Sequence, residues 1–186
     1  GFIEGGTDFT EQTRSMLKVD GGIRATNEDE SYVINFCITR MLSSAARFYG
    51  IDFGTEPASF TTARGLIGRL YNIIINNGAH FFNYHSNLLL NDQGIDKWKK
   101  YVPLLERRAY PDMEVAVLYP DTMTKLEDST IRHLDGSSWF TQAISLRNHL
   151  DYDYCSERMI LDGALDRYKV LVFLSRYHDG EMIEQN

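Results

Sequence analysis

Residues 50–58 read GIDFGTEPA, and this short stretch decides how we interpret the fold. Residues 51–54 predict a short strand, and Glu56 is expected just past its carboxyl end. An amphipathic helical pattern over residues 31–48 precedes the strand and ends at Gly50. Thr61 or Thr62 is expected to cap a second helix after it. A strand between two helices is typical of an α/β protein.

The same alternation extends outward on both sides of this stretch. Residues 22–25 predict an earlier strand, residues 79–84 a later one, and residues 92–107 a third helix. Residues 22–107 therefore alternate strand and helix, which indicates parallel strands covered by helices. In such folds the chemistry lies at the carboxyl ends of the strands. Polar candidates fall at these predicted ends: Asn27, Glu28, Glu56, His85 and Asn87.

A second unit is predicted after Arg108. Residues 114–119, 151–155 and 168–174 predict strands, the last of them buried, with helical patterns at 139–150 and 157–164. We therefore divide the chain into residues 1–108 and 109–186. The fold class is α/β: the C-terminal part of a (β/α)8 barrel, then a partial flavodoxin-like parallel sheet. Because neither unit is complete by itself, we expect either a fragment or partners that supply the rest.

The composition excludes several classes of function. The chain has 186 residues and a net charge of −7, which disfavours nucleic acid because its phosphates demand a basic surface. The sequence contains no run of 18 apolar residues, so no membrane span is predicted. The two cysteines, Cys37 and Cys155, have no metal-ligand spacing, and no glycine-rich phosphate loop is present, so we expect no metal and no cofactor. The missing signal peptide leaves the compartment open, because the chain does not begin with Met.

Glu56 is the leading catalytic candidate. Retaining glycoside hydrolysis needs two carboxylates about 5–5.5 Å apart, one an acid/base and the other a nucleophile. Glu56 suits the nucleophile, since Pro57 restricts it to extended conformations that help to aim the side chain. The alternative interpretation is a surface glutamate in a loop.

Four segments in order resemble the end of a clan A glycoside hydrolase barrel, and the β-galactosidases of family 42 most of all. These segments are GIRATNE at residues 22–28, SAARFYG at 44–50, FGTEPA at 53–58 and NGAHFFNY at 77–84. The resemblance implies that Glu56 is the nucleophile at the end of the seventh barrel strand. It also implies a flavodoxin-like trimerisation domain, similar to residues 115–119 and 166–172 here. The family's acid/base glutamate lies far upstream, at a place that nothing in this chain can occupy.

The remaining candidates have two interpretations each. Asn27 and Glu28 are either a substrate-binding pair or helix-capping residues, with Asn27 and Glu30 forming a capping box. Tyr84, His85 and Asn87 either bind sugar hydroxyls or serve packing. Trp98 is expected in the core, and Trp139 is either a core residue or an interface residue.

The leading hypothesis is a retaining, β-galactosidase-like glycoside hydrolase, of which this chain is a C-terminal fragment. The fragment would carry the nucleophile but not the acid/base, so it would be inactive alone. The partners expected are a carbohydrate substrate and further copies of the chain, and the resemblance implies a trimer of the intact protein. One alternative is a non-catalytic carbohydrate-binding or oligomerisation protein derived from such a barrel. Another, a flavodoxin-like redox or signalling domain, is disfavoured by the missing phosphate loop.

Overall fold

The computed structural model describes residues 2–4, 8–27, 31–57, 62–82, 92–106, 110–122 and 138–174. They belong to two compact units, Gly1–Asp112 and Met113–Asn186. The boundary predicted from sequence, between Arg108 and Ala109, lies outside the described residues. Both units contain parallel strands and helices, so the α/β class is confirmed.

In its described residues, the first unit alternates four strands with four helices. The strands are β1 (Phe2–Glu4), β2 (Gly22–Asn27), β3 (Phe53–Pro57) and β4 (His80–Phe81), and they lie side by side in chain order, all parallel. The helices are α1 (Phe9–Leu17), α2 (Tyr32–Tyr49), α3 (Ala63–Ile75) and α4 (Asp92–Tyr101), and a 3₁₀ turn, Val102–Glu106, follows α4. Neighbouring helices contact one another in sequence order, which places them in one layer against the sheet.

Local chemistry sets the helix ends of this unit. The Thr62 side chain accepts a hydrogen bond from the Gly65 N–H at 3.2 Å and begins α3, as predicted. Gly50 ends α2 with φ of +76°, a left-handed conformation that glycine adopts without steric cost. The predicted cap at Asn27 is wrong, because β2 continues to Asn27, which pairs with Pro57. Ser31 is the cap of α2 instead.

Two elements were missed from sequence. Strand β1 and helix α1 fall in the glycine-rich start of the chain, which carries no clear apolar periodicity. A usable signal was present at Asp8, whose side chain accepts a hydrogen bond from the Glu11 N–H at 3.0 Å. An acidic residue three positions after a capping residue is a known sign of a helix start.

The second unit contains a three-stranded parallel sheet. Its strands are β5 (Val115–Tyr119), β6 (Asp153–Ser156) and β7 (Val170–Val172), in the order β6-β5-β7. Its helices are α5 (Ser138–Arg147) and α6 (Glu157–Leu161), with a 3₁₀ turn at Ala164–Arg167. The first strand of the unit therefore lies in the centre, flanked by the two later ones.

The core of the second unit is aromatic. Trp139 is 2% exposed, contacts the rings of Tyr119 and Tyr154, and donates its indole N–H to the Leu118 carbonyl oxygen at 3.2 Å. Trp139 is thus a core residue, and the interface alternative is wrong within this chain. The buried strand predicted at residues 168–174 is also wrong in its burial. Val170 is 50% and Phe173 63% exposed, because β7 has a strand neighbour on only one side among the described residues.

Candidate functional site

Glu56 lies within β3 and not after it. It is the register partner of Thr26 on β2, one residue before the strand ends at Pro57. The sequence placed it past the strand because Glu and Pro are poor strand formers, and pairing with β2 overrides that preference. Its position at the carboxyl end of a parallel strand is nonetheless the one expected of a catalytic group.

Glu56 and the helices lie on opposite faces of the sheet. Phe53 packs towards α3: a Cβ added at Gly78 would lie 3.1 Å from the Phe53 ring and 2.5 Å from Ile73. Successive residues of a strand point to opposite faces, so Glu56, three positions after Phe53, points away from α3. Arg24 and Gly54 share the Glu56 face, because Arg24 is the register partner of Gly54.

The Glu56 carboxylate forms an ion pair with Arg24. Arg24 Nε lies 2.6 Å from Glu56 Oε2, and the two side chains are 27% and 2% exposed respectively. The Arg24 guanidinium also lies over the Phe82 ring, 5.4 Å from its centroid. The contact places a positive charge directly beside the buried carboxylate.

Gly54 is needed for the close approach of β4 to this face. A Cβ at Gly54 would lie 2.6 Å from the His80 carbonyl oxygen and 2.9 Å from the His80 Cβ. No side chain fits there without moving β4. The pairing of β3 with β4, and hence the position of Phe82 beside Arg24, depends on this glycine.

A second polar pair lies on the same face but at the opposite strand end. His80 Nε2 and Asp52 Oδ2 are 3.7 Å apart, and both side chains are about half exposed. Asp52 precedes Glu56 by four residues, or about 13 Å along an extended strand. That distance is too long for Asp52 to serve as the second carboxylate of a glycosidase.

The other candidates are less well described. The Asn27 backbone belongs to β2 and pairs with Pro57, which places it at the same sheet edge as Glu56. Glu28, Tyr84, His85 and Asn87 lie outside the described residues. Sequence reasoning missed Arg24, although an arginine within an otherwise apolar strand segment was a usable signal.

The second unit offers a different arrangement at the end of its central strand. The Glu157 carboxylate accepts hydrogen bonds from the Asp121 N–H at 2.9 Å and the Thr122 N–H at 3.4 Å. Doubly wound sheets bind phosphates at backbone N–H groups in this region. Here the protein's own carboxylate occupies them, which argues against a nucleotide or flavin phosphate at that place.

The Cys155 thiol is not an activated nucleophile. Burial, with the Asp153 charge as a second cause, raises its pKa from 9.0 to about 11. The thiol therefore stays protonated at neutral pH, while nucleophilic chemistry requires the thiolate. Both cysteines are buried, and neither is in a disulfide.

Two further properties bear on possible sites. Within the described ranges, no group of three or more His, Cys, Asp and Glu side chains could hold a metal ion. None of the helices described is both long and apolar enough to cross a bilayer.

The chain was also compared with known proteins. No family model, no curated protein and no solved structure matches it.

Proposed function

We propose that this chain contributes the nucleophile, Glu56, of a retaining glycoside hydrolase that acts on β-galactoside-like substrates. The observation that carries the proposal is the Glu56 carboxylate, next to the carboxyl end of a parallel strand and ion-paired with Arg24. Attack on an anomeric carbon requires an ionised carboxylate held in one direction. The Arg24 guanidinium, 2.6 Å from Glu56 Oε2, supplies the opposite charge beside that carboxylate.

The strand order of the first unit supports the barrel part of the proposal. Four parallel strands in chain order, with helices in one layer, correspond to the repeated βα unit of a (β/α)8 barrel. The face that carries Glu56 would then be the barrel interior. The order β6-β5-β7 is likewise the order in which a flavodoxin-like sheet begins.

The acid/base is proposed to come from residues outside this chain. A retaining enzyme needs a second carboxyl group about 5–5.5 Å from the nucleophile, to protonate the leaving oxygen and then to activate water. Asp52 is too far along β3 for that role. Turnover of ordinary aryl β-galactosides by the 186-residue chain alone is therefore not expected.

A trapping reagent tests the nucleophile independently of the acid/base. A 2-deoxy-2-fluoro-β-galactoside with a dinitrophenolate leaving group needs no protonation, because that leaving group departs as a stable anion. We expect the chain to release dinitrophenolate once and to retain one fluorogalactosyl group on Glu56, located by peptide mass spectrometry. The Glu56→Gln variant should stay unlabelled, while Glu11→Gln, which changes a partly exposed glutamate of α1, should label like the parent.

The burial of Glu56 favours a second candidate. At 1% exposure the carboxylate is covered, so a sugar reaches it only if Arg24 moves aside. A non-catalytic carbohydrate-binding or oligomerisation protein derived from such a barrel would keep this ion pair for stability alone. Absence of any adduct on Glu56, in a chain that still binds galactose by calorimetry, would reject the nucleophile and favour this candidate.

A further inference from the structure

A groove of about 460 Å³ lies between the amino-terminal halves of α2 and α3. Its walls are the first turn of α2, including Tyr32, and one face of α3 formed by Arg64, Gly65, Gly68, Arg69 and Asn72. Since α3 packs on the sheet face opposite Glu56, the groove is separate from the proposed nucleophile. Its volume is within the range of small-molecule sites.

Gly68 keeps this groove open. It lies inside α3, where glycine costs about 1 kcal/mol relative to alanine. A Cβ at this position would meet no atom within 4 Å, and the backbone does not need a positive φ here. Neither packing nor conformation therefore requires the glycine, and what it provides is empty space in the groove wall.

Two arginine side chains line the groove. Arg64 is exposed at its rim and makes no ion pair within the described part of the chain, and Arg69 is buried in its wall, 2% exposed. The amino termini of α2 and α3 add the positive ends of two helix dipoles. Neither helix has an acidic residue in its first turn, although Glu28, Asp29 and Glu30 directly precede the cap of α2 in the sequence. The groove is thus suited to an anion.

Asn72 adds a requirement for a hydrogen-bond donor. It is 1% exposed and lines the groove, and its Nδ2 donates to the Tyr32 carbonyl oxygen at 3.4 Å. Its Oδ1 is buried and accepts no hydrogen bond from the described residues. A buried amide oxygen without a donor is unfavourable, so a hydroxyl group placed in the groove would stabilise this arrangement. Tyr32, 44% exposed, adds an aromatic side chain to the groove lining.

We propose that the α2–α3 groove binds a small hydroxylated anion, namely a sugar bearing a phosphate or a carboxylate. The anionic group lies against Arg64 and Arg69, and a hydroxyl donates to Asn72 Oδ1. This proposal does not depend on the role of Glu56.

Calorimetric titration of the 186-residue chain tests it with four probes: glucose 6-phosphate, glucuronate, inorganic phosphate and glucose. We expect at least one sugar anion to bind at millimolar concentration or below, inorganic phosphate to bind more weakly, and glucose not to bind. The stronger of the two sugar anions identifies the anionic group. No binding of either sugar anion, or equal binding of glucose, would overturn the proposal.

Variants locate the binding. Arg64→Gln removes an exposed charge and should lower the affinity for the sugar anion about tenfold, because one charge-assisted hydrogen bond is lost. Gly68→Leu should fill the groove and abolish binding, with the fold checked by circular dichroism. Arg14→Gln on α1 is the matched surface control, and Glu56→Gln should leave the affinity unchanged. Unaltered binding in Arg64→Gln would place the anion elsewhere and reject the groove, whether or not Gly68→Leu folds.

Discussion

Replacing Arg24 by methionine removes the guanidinium that lies 2.6 Å from the Glu56 carboxylate. Methionine keeps an unbranched side chain to pack on Phe82 but cannot compensate the charge. Removing one partner of a buried pair typically costs 3–5 kcal/mol, because the other charge stays buried without compensation. The charge that remains is that of Glu56, whose side chain is 2% exposed, so we expect a loss of at least about 3 kcal/mol.

The Glu56→Gln substitution is smaller in effect. Glutamine keeps the shape of the side chain, and the Arg24 charge that loses its partner is 27% exposed to water, so the expected cost is about 1–2 kcal/mol. In the double variant no uncompensated charge remains. Its loss of unfolding free energy should therefore be about 2 kcal/mol smaller than the sum of the losses in the two single variants. That shortfall is the coupling energy between the two side chains.

Urea unfolding followed by far-ultraviolet circular dichroism at pH 7 measures all four proteins of this cycle. The slopes of the transitions must agree before the free energies are compared. Arg14→Met is the control, because Arg14 pairs with Glu11 at partly exposed positions three residues apart on α1. It should cost less than about 0.5 kcal/mol. A coupling energy between Arg24 and Glu56 below about 0.5 kcal/mol, the limit set for an exposed pair, would refute the buried ion pair.

Two further outcomes are expected. Gly54→Ala should destabilise the chain by about 1–3 kcal/mol in urea unfolding, because its Cβ would lie 2.6 Å from the His80 carbonyl oxygen. Gly68→Ala, whose Cβ meets nothing within 4 Å, should instead stabilise the chain by up to about 1 kcal/mol. If both variants changed the unfolding free energy in the same direction, the β3–β4 register would be contradicted. Alkylation of Cys155, followed in Cys37→Ala, should be slow at pH 7 and accelerate towards pH 11, since burial raises the thiol pKa to about 11. Rapid labelling at pH 7 would contradict the burial. Because the thiol of the unfolded chain loses its proton at a lower pH, the stability that this proton contributes is complete below pH 9.0 and is lost as the pH rises towards about 11.

Much of the local structure could be predicted from the sequence. Thr62 begins α3 and Gly50 ends α2, because capping depends on a side chain and a few neighbouring backbone groups. The alternation of strands and helices was also predictable from apolar periodicity. The limits of individual strands were less so: β3 extends through Glu56 and Pro57 only because β2 pairs beside it.

The candidate site shows the same division more sharply. Glu56 was found from its place after an apolar strand pattern, and the sequence by itself determined that a carboxylate would lie near a strand end. Only the tertiary structure decided that Arg24 neutralises it, because the parallel register brings together two strands separated by the whole of α2. The exposure of β7 and the groove beside Gly68 were likewise decided by which elements pack together. Caps and periodicity are local hydrogen bonding and burial, whereas register and packing are long-range choices that no short stretch of sequence specifies.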